Sequence, residues 1–298
     1  MKNPLDLASV VLLPALWAGS FVLQRQLSPF MGSFNMAFWR LVIASLTLIL
    51  VVHLLRIRMD WRQHWRAYFI GGLMTTAIPW AMVAFGSRHL PAAYLSIISS
   101  SIPLWAALSG ALLLGERITR PVVVGLCSGM AGIWVITWHD GPSGQASGYF
   151  LLALAGVLGS AMITGMNGVW IKRISANTQN QALCCGTMIT AALFLSPSQL
   201  VPAPQPVTTA MLWQLLMLGV VCSALAQLLF FRLLVRVTTA QALATSYLNP
   251  AFTALWAWLF LGEPVTWRIV AGSILVLGGT SLITFGKAVS AGKNKQAS

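Results

Sequence analysis

The sequence predicts an all-α integral membrane protein with ten transmembrane helices in two inverted five-helix repeats. Three observations carry that prediction. First, 57% of the 298 residues are hydrophobic and only 8% are charged, whereas soluble domains carry about 25% charged residues. The mean hydropathy is +0.79, so the solvent must be lipid. Second, the apolar residues fall into runs close to the ~20 residues that a helix needs to cross a bilayer core. Third, one stretch occurs twice. SIPLWAALSGALLLGERIT at 101–119 returns as LNPAFTALWAWLFLGEPVT at 248–266. Pro103 and Pro250, Gly115 and Gly262, Glu116 and Glu263, and Thr119 and Thr266 are all 147 positions apart. Laying 92–136 on 239–283 without gaps gives 14 identities in 45 positions. Apolar composition accounts for some of these. It does not account for the Pro and Gly-Glu pairs, nor for Gly125 with Gly272 and Gly132 with Gly279.

In chain order the ten spans are 7–27, 33–55, 66–87, 92–113, 120–138, 148–171, 180–200, 210–231, 239–261 and 267–286. The first is read as a retained helix and not a cleaved signal, because Phe21-Val22-Leu23 continues the apolar pattern past Ala18-Gly19-Ser20. Ser28-Pro29 divides the first pair and Leu90-Pro91 the third and fourth. Met59–Arg66, MDWRQHWR, alternates Trp and Arg and is expected to be a short connection at headgroup level. His139–Gly144 separates the halves, 196–206 is a Pro-rich outer loop, and 287–298 is a polar, frayed tail. The domains are therefore a first repeat at 1–139, a second at 140–287 and a tail at 288–298. Span five carries Gly125-Leu126-Cys127-Ser128-Gly129, a small-residue motif for close helix approach.

Orientation follows from the basic residues. With the N-terminus cytoplasmic, 14 of the 18 Lys and Arg fall on the inner side. Arg25, Arg40, Arg88 and Arg268 remain. The positive-inside rule then places both termini in the cytoplasm. Five spans per half is an odd number, so the second half enters the bilayer from the opposite side. Inverted repeats of this kind are a secondary-transporter architecture.

Several other classes are excluded. The net charge is +13, but the basic residues sit singly or in pairs at span ends and form no nucleic-acid footprint. Cys127, Cys184, Cys185 and Cys222 lie in apolar runs without metal-ligand spacing and read as small buried hydrophobes. His53, His64, His89 and His139 are scattered near span ends. Neither a cofactor nor a metal is implied.

Leu16-Trp17-Ala18-Gly19-Ser20, Ala37-Phe38-Trp39-Arg40-Leu41 and the two Pro…Gly-Glu segments, in this order, resemble the drug/metabolite transporter superfamily. The resemblance is to its EamA-like ten-helix group and spans about residues 8–286. Proteins of that group resemble one another while exporting amino acids, metabolites or toxic organic compounds. The chain departs from it in the seventh helix, where Gln181–Met188 holds no arginine to match Arg40. The resemblance implies that spans one, three, four, six and eight line a central cavity. It thereby assigns lining roles to Trp17, Trp80, Tyr94, Asn167 and Gln227. Aromatics with one polar atom suit an amphipathic ligand, and the same residues suit plain core packing.

Candidate site residues follow from chemistry. Pro103 and Pro250 within spans four and nine free the carbonyls of Ser99 and Ser246. A kink is tolerated in lipid only against protein or a wet cavity. Tyr247 and Asn249, against Ser100 and Ile102 in the first copy, break the repeat and supply asymmetric hydrogen-bond donors; the alternative is interhelical glue. Arg40 either binds a carboxylate or phosphate or sits near the outer end of span two and snorkels. Glu116 and Glu263 either join consecutive helices, with Thr119 and Thr266 as N-caps, or couple protons.

The expected function is a secondary transporter of the inner membrane. It exports small amphipathic metabolites, such as amino acids or toxic organic compounds, by alternating access. Its partners are the small-molecule substrate and the lipid bilayer, not nucleic acid, and it acts as a monomer or a homodimer. The alternatives are a nucleotide-sugar or phosphate-compound exchanger, which would want more cavity cations than Arg40, an intramembrane enzyme, and a non-transporting scaffold.

Overall fold

A computed structural model describes residues 4–106, 108, 120–137, 149–175, 179–206, 208–230 and 248–296. Among the described residues every regular element is helical. They are α1 (Pro4–Met31), α2 (Ser33–Leu54), α3 (Trp61–Gly71), a π-helical segment (Gly72–Ala77), α4 (Ile78–His89) and α5 (Ala92–Ser99). Then come α6 (Arg120–Thr137), α7 (Tyr149–Ser175), α8 (Asn180–Leu195) with a 3₁₀ turn (Ser196–Leu200), and α9 (Thr209–Leu216) with a second π-helical segment (Met217–Leu225). α10 (Asn249–Leu261) and α11 (Trp267–Gln296) complete them. Five described helices are long and apolar enough to cross a membrane: Ser33–Leu54, Trp61–His89, Tyr149–Asn167, Gln181–Leu200 and Thr209–Phe230. Ala92–Ala106, Val123–Thr137 and Trp267–Leu282 are shorter apolar helices.

Four expectations are corrected. Ser28-Pro29 does not end the first helix, which continues to Met31; the break is Gly32, with φ 80°, a conformation only glycine adopts freely. The Trp/Arg segment is no loose connection. The helix starts at Trp61, after Asp60 at φ 41°, and runs through the π-helical segment to His89. Trp61 stacks edge-on against Tyr68 at 4.8 Å, and the Tyr68 hydroxyl donates to the Met59 carbonyl, so the aromatics fold back on the helix. The tail is helical to Gln296; 287–296 holds no proline and is rich in Lys and Ala, which favour helix. Span four breaks before Pro103 and does not bend at it. α5 stops at Ser99, Ser100–Ser101 turn, and residues 102–106 restart a helix with Pro103 in its first turn. Leu104 and Trp105 backbone N–H both donate to the Ser101 carbonyl, where proline's missing N–H costs nothing.

The packing repeats with the sequence. α6 and α11 lie against one another. A Cβ at Gly132 would stand 2.8 Å from the Gly272 carbonyl oxygen, and one at Gly279 would stand 2.5 Å from that of Gly125. Between them Ser128 donates to the Leu275 carbonyl at 2.8 Å. As position rises in one helix it falls in the other, so the pair is antiparallel. Shifting by 147 positions turns the Gly132–Gly272 contact into Gly279–Gly125 and carries Ser128 onto Leu275. Small residues therefore bring two backbones into contact, as the span-five motif requires.

The same rule holds for the π-helical segments, since Gly72 maps onto Gly219. Gly219 packs on α2, where a Cβ would stand 2.5 Å from Ile43 Cγ2 and 3.2 Å from the Arg40 carbonyl oxygen. Gly72 packs on α8, where a Cβ would stand 2.9 Å from the Thr187 carbonyl oxygen and collide with Thr190 Oγ1. Arg40 and Ile43 map onto Thr187 and Thr190. Thus each half packs its second-span helix against the π-helical segment of the other half.

Candidate functional site

Arg40 lies on the buried face of α2, where Leu41, Ala44 and Leu48 turn toward the core. It does not snorkel. Only 6% of its surface is exposed. Nε donates to Ser223 Oγ at 2.7 Å, and the guanidinium carbon stands 4.0 Å from the Trp80 ring centroid. Outward depth along the sequence suggested a headgroup contact. Instead α2 packs closely on the second π-helical segment at Gly219, and the Arg40 side chain reaches Ser223 within that segment.

The two partners come from opposite halves, each at one of the two π-helical segments. Trp80 follows the first by three residues, and Ser223 lies within the second. A π-helical turn leaves the regular i→i−4 ladder and re-aims the side chains it carries, which is why such turns concentrate at functional sites. Ser223 in turn donates to the Leu218 carbonyl at 2.6 Å, five residues back, so the hydroxyl both stabilises the widened turn and receives the arginine. Asn167 on α7 performs the matching service for the first segment, its Nδ2 donating to the Met74 carbonyl at 2.9 Å. Among the described residues no acidic side chain is paired with Arg40; the described ion pair is elsewhere.

That ion pair marks a second polar cluster, at the end of the bundle where α1 finishes. Arg25 Nε lies 3.4 Å from Glu263 Oε1. Arg25 Nη1 also donates to the carbonyls of Ser87, at 3.2 Å, and Arg88, at 2.8 Å. Glu263 Oε2 accepts from the Ala92 backbone N–H at 3.0 Å. Gln26 donates to the Phe260 carbonyl at 3.3 Å and accepts from Gln214 at 3.2 Å. Beside these groups lies a cavity of about 630 Å³, bounded by α1, α9 and the end of α10 and lined in part by Phe30, Met211 and Leu261.

Comparison with known proteins identifies the chain. The EamA-like transporter family matches residues 7–138 and 151–285. The chain belongs to the EamA-like transporter family. It is 24% identical over 291 residues to a probable terminal-alkyne amino-acid exporter of Streptantibioticus cattleyicolor, covering 95% of this chain and 94% of that one. It is 27% identical over 275 residues to the pseudopaline exporter CntI of Pseudomonas aeruginosa, covering 91% and 94%. The transporter YvbV of Bacillus subtilis is 26% identical over 252 residues, covering 82% and 80%. A solved crystal structure superposes with a TM-score of 0.65, covering 93% of this chain and 97% of that one at 18% identity, so the fold is shared.

Within this EamA-like transporter the candidate residues are distributed unevenly. Arg40 and Trp80 meet, and Gln227, half-buried, stands one turn beyond Ser223. Trp17 packs on Phe230 at 5.3 Å, in a small cluster with Leu13 and Ala226. Tyr94 is buried in the main apolar cluster with Phe21, Ile97 and Ile133. Ser99 is partly buried at the α5 break. Asn249 and Pro250 open α10, and the buried Asn249 Oδ1 has no hydrogen-bond partner among the described residues. Glu263 lies in the rim cluster, and Thr266 caps α11, accepting from the Ile269 N–H at 3.4 Å. Glu116, Ser246 and Tyr247 lie outside the described residues. Cys184, Cys185 and Cys222 are buried as expected, whereas Cys127 is exposed on α6. Ser223 and Arg25 escaped the sequence reading. A lone serine in an apolar run carries no signal, and Arg25 read as one of four outer cations.

Proposed function

We propose that this membrane transporter exports small amphipathic metabolites that carry a carboxylate, amino acids foremost, and that Arg40 anchors the carboxylate. The observation that carries the reading is the burial of Arg40 against Trp80 and Ser223 without an acidic partner among the described residues. An ionised side chain at that depth is costly unless it is paired, and in membrane proteins it marks a substrate path. The guanidinium has five N–H donors in a fixed fork that matches a carboxylate, and Ser223 uses one of them. The Trp80 face covers the cation and leaves an aromatic wall for the apolar part of the ligand. Two similar proteins are named as exporters, one of them of an amino acid, and an amino acid carries the required group.

The proposed mechanism is alternating access between two inverted repeats, 1–139 and 140–287, ten spans in all. The transporter lies in the inner membrane with both termini and the 288–298 tail cytoplasmic. The antiparallel α6–α11 contact and the exchanged packing of the two π-helical segments support it. Contacts that map onto themselves under the repeat are what a two-fold relation between halves produces. Arg40 sits where the halves meet, so a rocking motion exposes it to either face.

The test is flux in proteoliposomes of leucine and phenylalanine, and of isoamylamine and phenethylamine, which keep the side chain but lack the carboxylate. Amino-acid flux should exceed amine flux and fall at least tenfold in Arg40→Ala. Equal flux of both classes, untouched by Arg40→Ala, would refute the assignment.

A further inference from the structure

We propose that Arg25 and Glu263 form a latch that holds one end of the transporter shut and must part in each transport cycle. The cluster joins the halves at three points. Arg25 reaches from α1 to Glu263 beyond the end of α10. Glu263 reaches back to the first N–H of α5. Gln26 on α1 bonds to the α10 carbonyl of Phe260 and to Gln214 of α9. Every one of these contacts crosses from residues before 139 to residues after 140, so none survives separation of the halves at this end.

The chemistry suits a contact that breaks and re-forms. The Arg25 and Glu263 side chains are 32% and 21% exposed, so water replaces the lost partners at small cost. A fully buried pair would instead be left unpaired in lipid at several times that cost. Arg25 also fastens the α4–α5 junction through the Ser87 and Arg88 carbonyls, and the Leu90 N–H bonds the Gly86 carbonyl in the same corner. One ion pair thus fixes α1, the α4–α5 corner and α10 together. The cavity of about 630 Å³ lies immediately beside it, lined by both latch residues.

The sequence repeats the charges of this pair. The 147-residue offset takes Arg25 onto Lys172 and Glu263 onto Glu116, with the sign of each charge kept. Arg40 becomes Thr187 and Trp80 becomes Gln227 under the same offset. The repeat therefore retains both charges of the latch while it loses the Arg40 charge and the Trp80 ring of the binding corner, as a device needed at both ends would require.

The inference rests on the alternating-access reading and not on the carboxylate reading, and its test uses no substrate. A cysteine is placed at Ser20, a buried α1 residue about 8 Å inward of Arg25 at the helical rise, in a Cys127→Ser background. The rate of reaction with a membrane-impermeant maleimide, added from the α1 C-terminal side, is the readout. Glu263→Gln and Arg25→Gln should each raise that rate about tenfold. With the latch residues intact, raising salt from ~20 mM to ~500 mM should raise it severalfold, since exposed pairs are screened over such lengths. The salt measurement stands even if the variants fold poorly. An unchanged rate in both folded variants, or no response to salt with the pair intact, overturns the latch.

Discussion

Two corners of this molecule are built alike and furnished differently. In one, Gly219 of the second π-helical segment packs against Arg40 and Ile43 of α2; in the other, Gly72 of the first packs against Thr187 and Thr190 of α8. The backbones approach in the same way because the glycines are retained at the same offset. The side chains do not match. The first corner holds a buried cation on an indole face, whereas in the second Thr190 Oγ1 donates to the Tyr68 carbonyl at 2.6 Å and the Gly186 carbonyl at 2.9 Å. Under the proposed alternating access, the difference separates scaffold from site: what the halves share would be needed twice, to let either end open, and what they do not share would be needed once, to hold a ligand without two-fold symmetry of its own.

That contrast is sharpest at Arg40. If Arg40 anchors a carboxylate as proposed, alanine there removes a charge-assisted contact worth about 1.5–3 kcal/mol, and the KM for amino acids should rise roughly ten- to a hundredfold, at 1.4 kcal/mol per factor of ten. Thr187→Ala should move that KM less than twofold. If Thr187→Ala weakened transport as much as Arg40→Ala, the two corners would have to be treated as one symmetric site.

A stability comparison comes next. Gly72→Leu and Gly219→Leu should each destabilise the detergent-solubilised protein, by about 1–3 kcal/mol from overpacking alone, and by similar amounts in denaturant titration. A large cost at one glycine with none at the other would break the packing equivalence of the halves.

Smaller effects refine the proposed role of the Arg40 corner. Trp80→Leu keeps an apolar wall but removes a cation–π contact worth roughly 0.5–2 kcal/mol; the KM for amino acids should rise a few-fold with folding intact. Ser223→Ala loses one hydrogen bond to the arginine and should raise KM by about two- to tenfold, from the ~0.5–1.5 kcal/mol of a typical bond. Thr76, which occupies the matching position in the first half and is buried, should tolerate alanine without any change in KM. An equal response at Thr76 and Ser223 would argue that both hydroxyls serve the π-helical turns and neither serves the ligand.

Arg25 and Arg40 make the same point at another scale. Both lie outside the inner basic set that the positive-inside rule defines. Arg25 is half-exposed and answered by Glu263; Arg40 is buried and faces an indole and a hydroxyl. Nothing in the local sequence distinguishes Gln-Arg-Gln on α1 from Trp-Arg-Leu on α2 in this respect, because the answering groups lie 238 and 183 positions away.

The chain's own order of residues settled the solvent, since 57% hydrophobic content cannot be hidden from water in a chain this size. It placed helices at 33–54, 120–137 and 180–200, the last counting its 3₁₀ turn, within a residue or two of their limits, and the recurring Gly pairs marked positions that pack alike in the two halves. Thr266 as a cap was legible because capping depends on residues a few positions apart; the span-five glycines announced a close-packing face, but its partner, α11, lies 140 and 154 positions away at Gly272 and Gly279. Tertiary structure alone decided that Arg40 turns inward, that Pro103 follows a break instead of causing one, and that Ser223 and Trp80 converge on one guanidinium. Those outcomes depend on which distant helix supplies the neighbouring surface, and a π-helical turn is chosen by that packing, with no motif of its own to announce it.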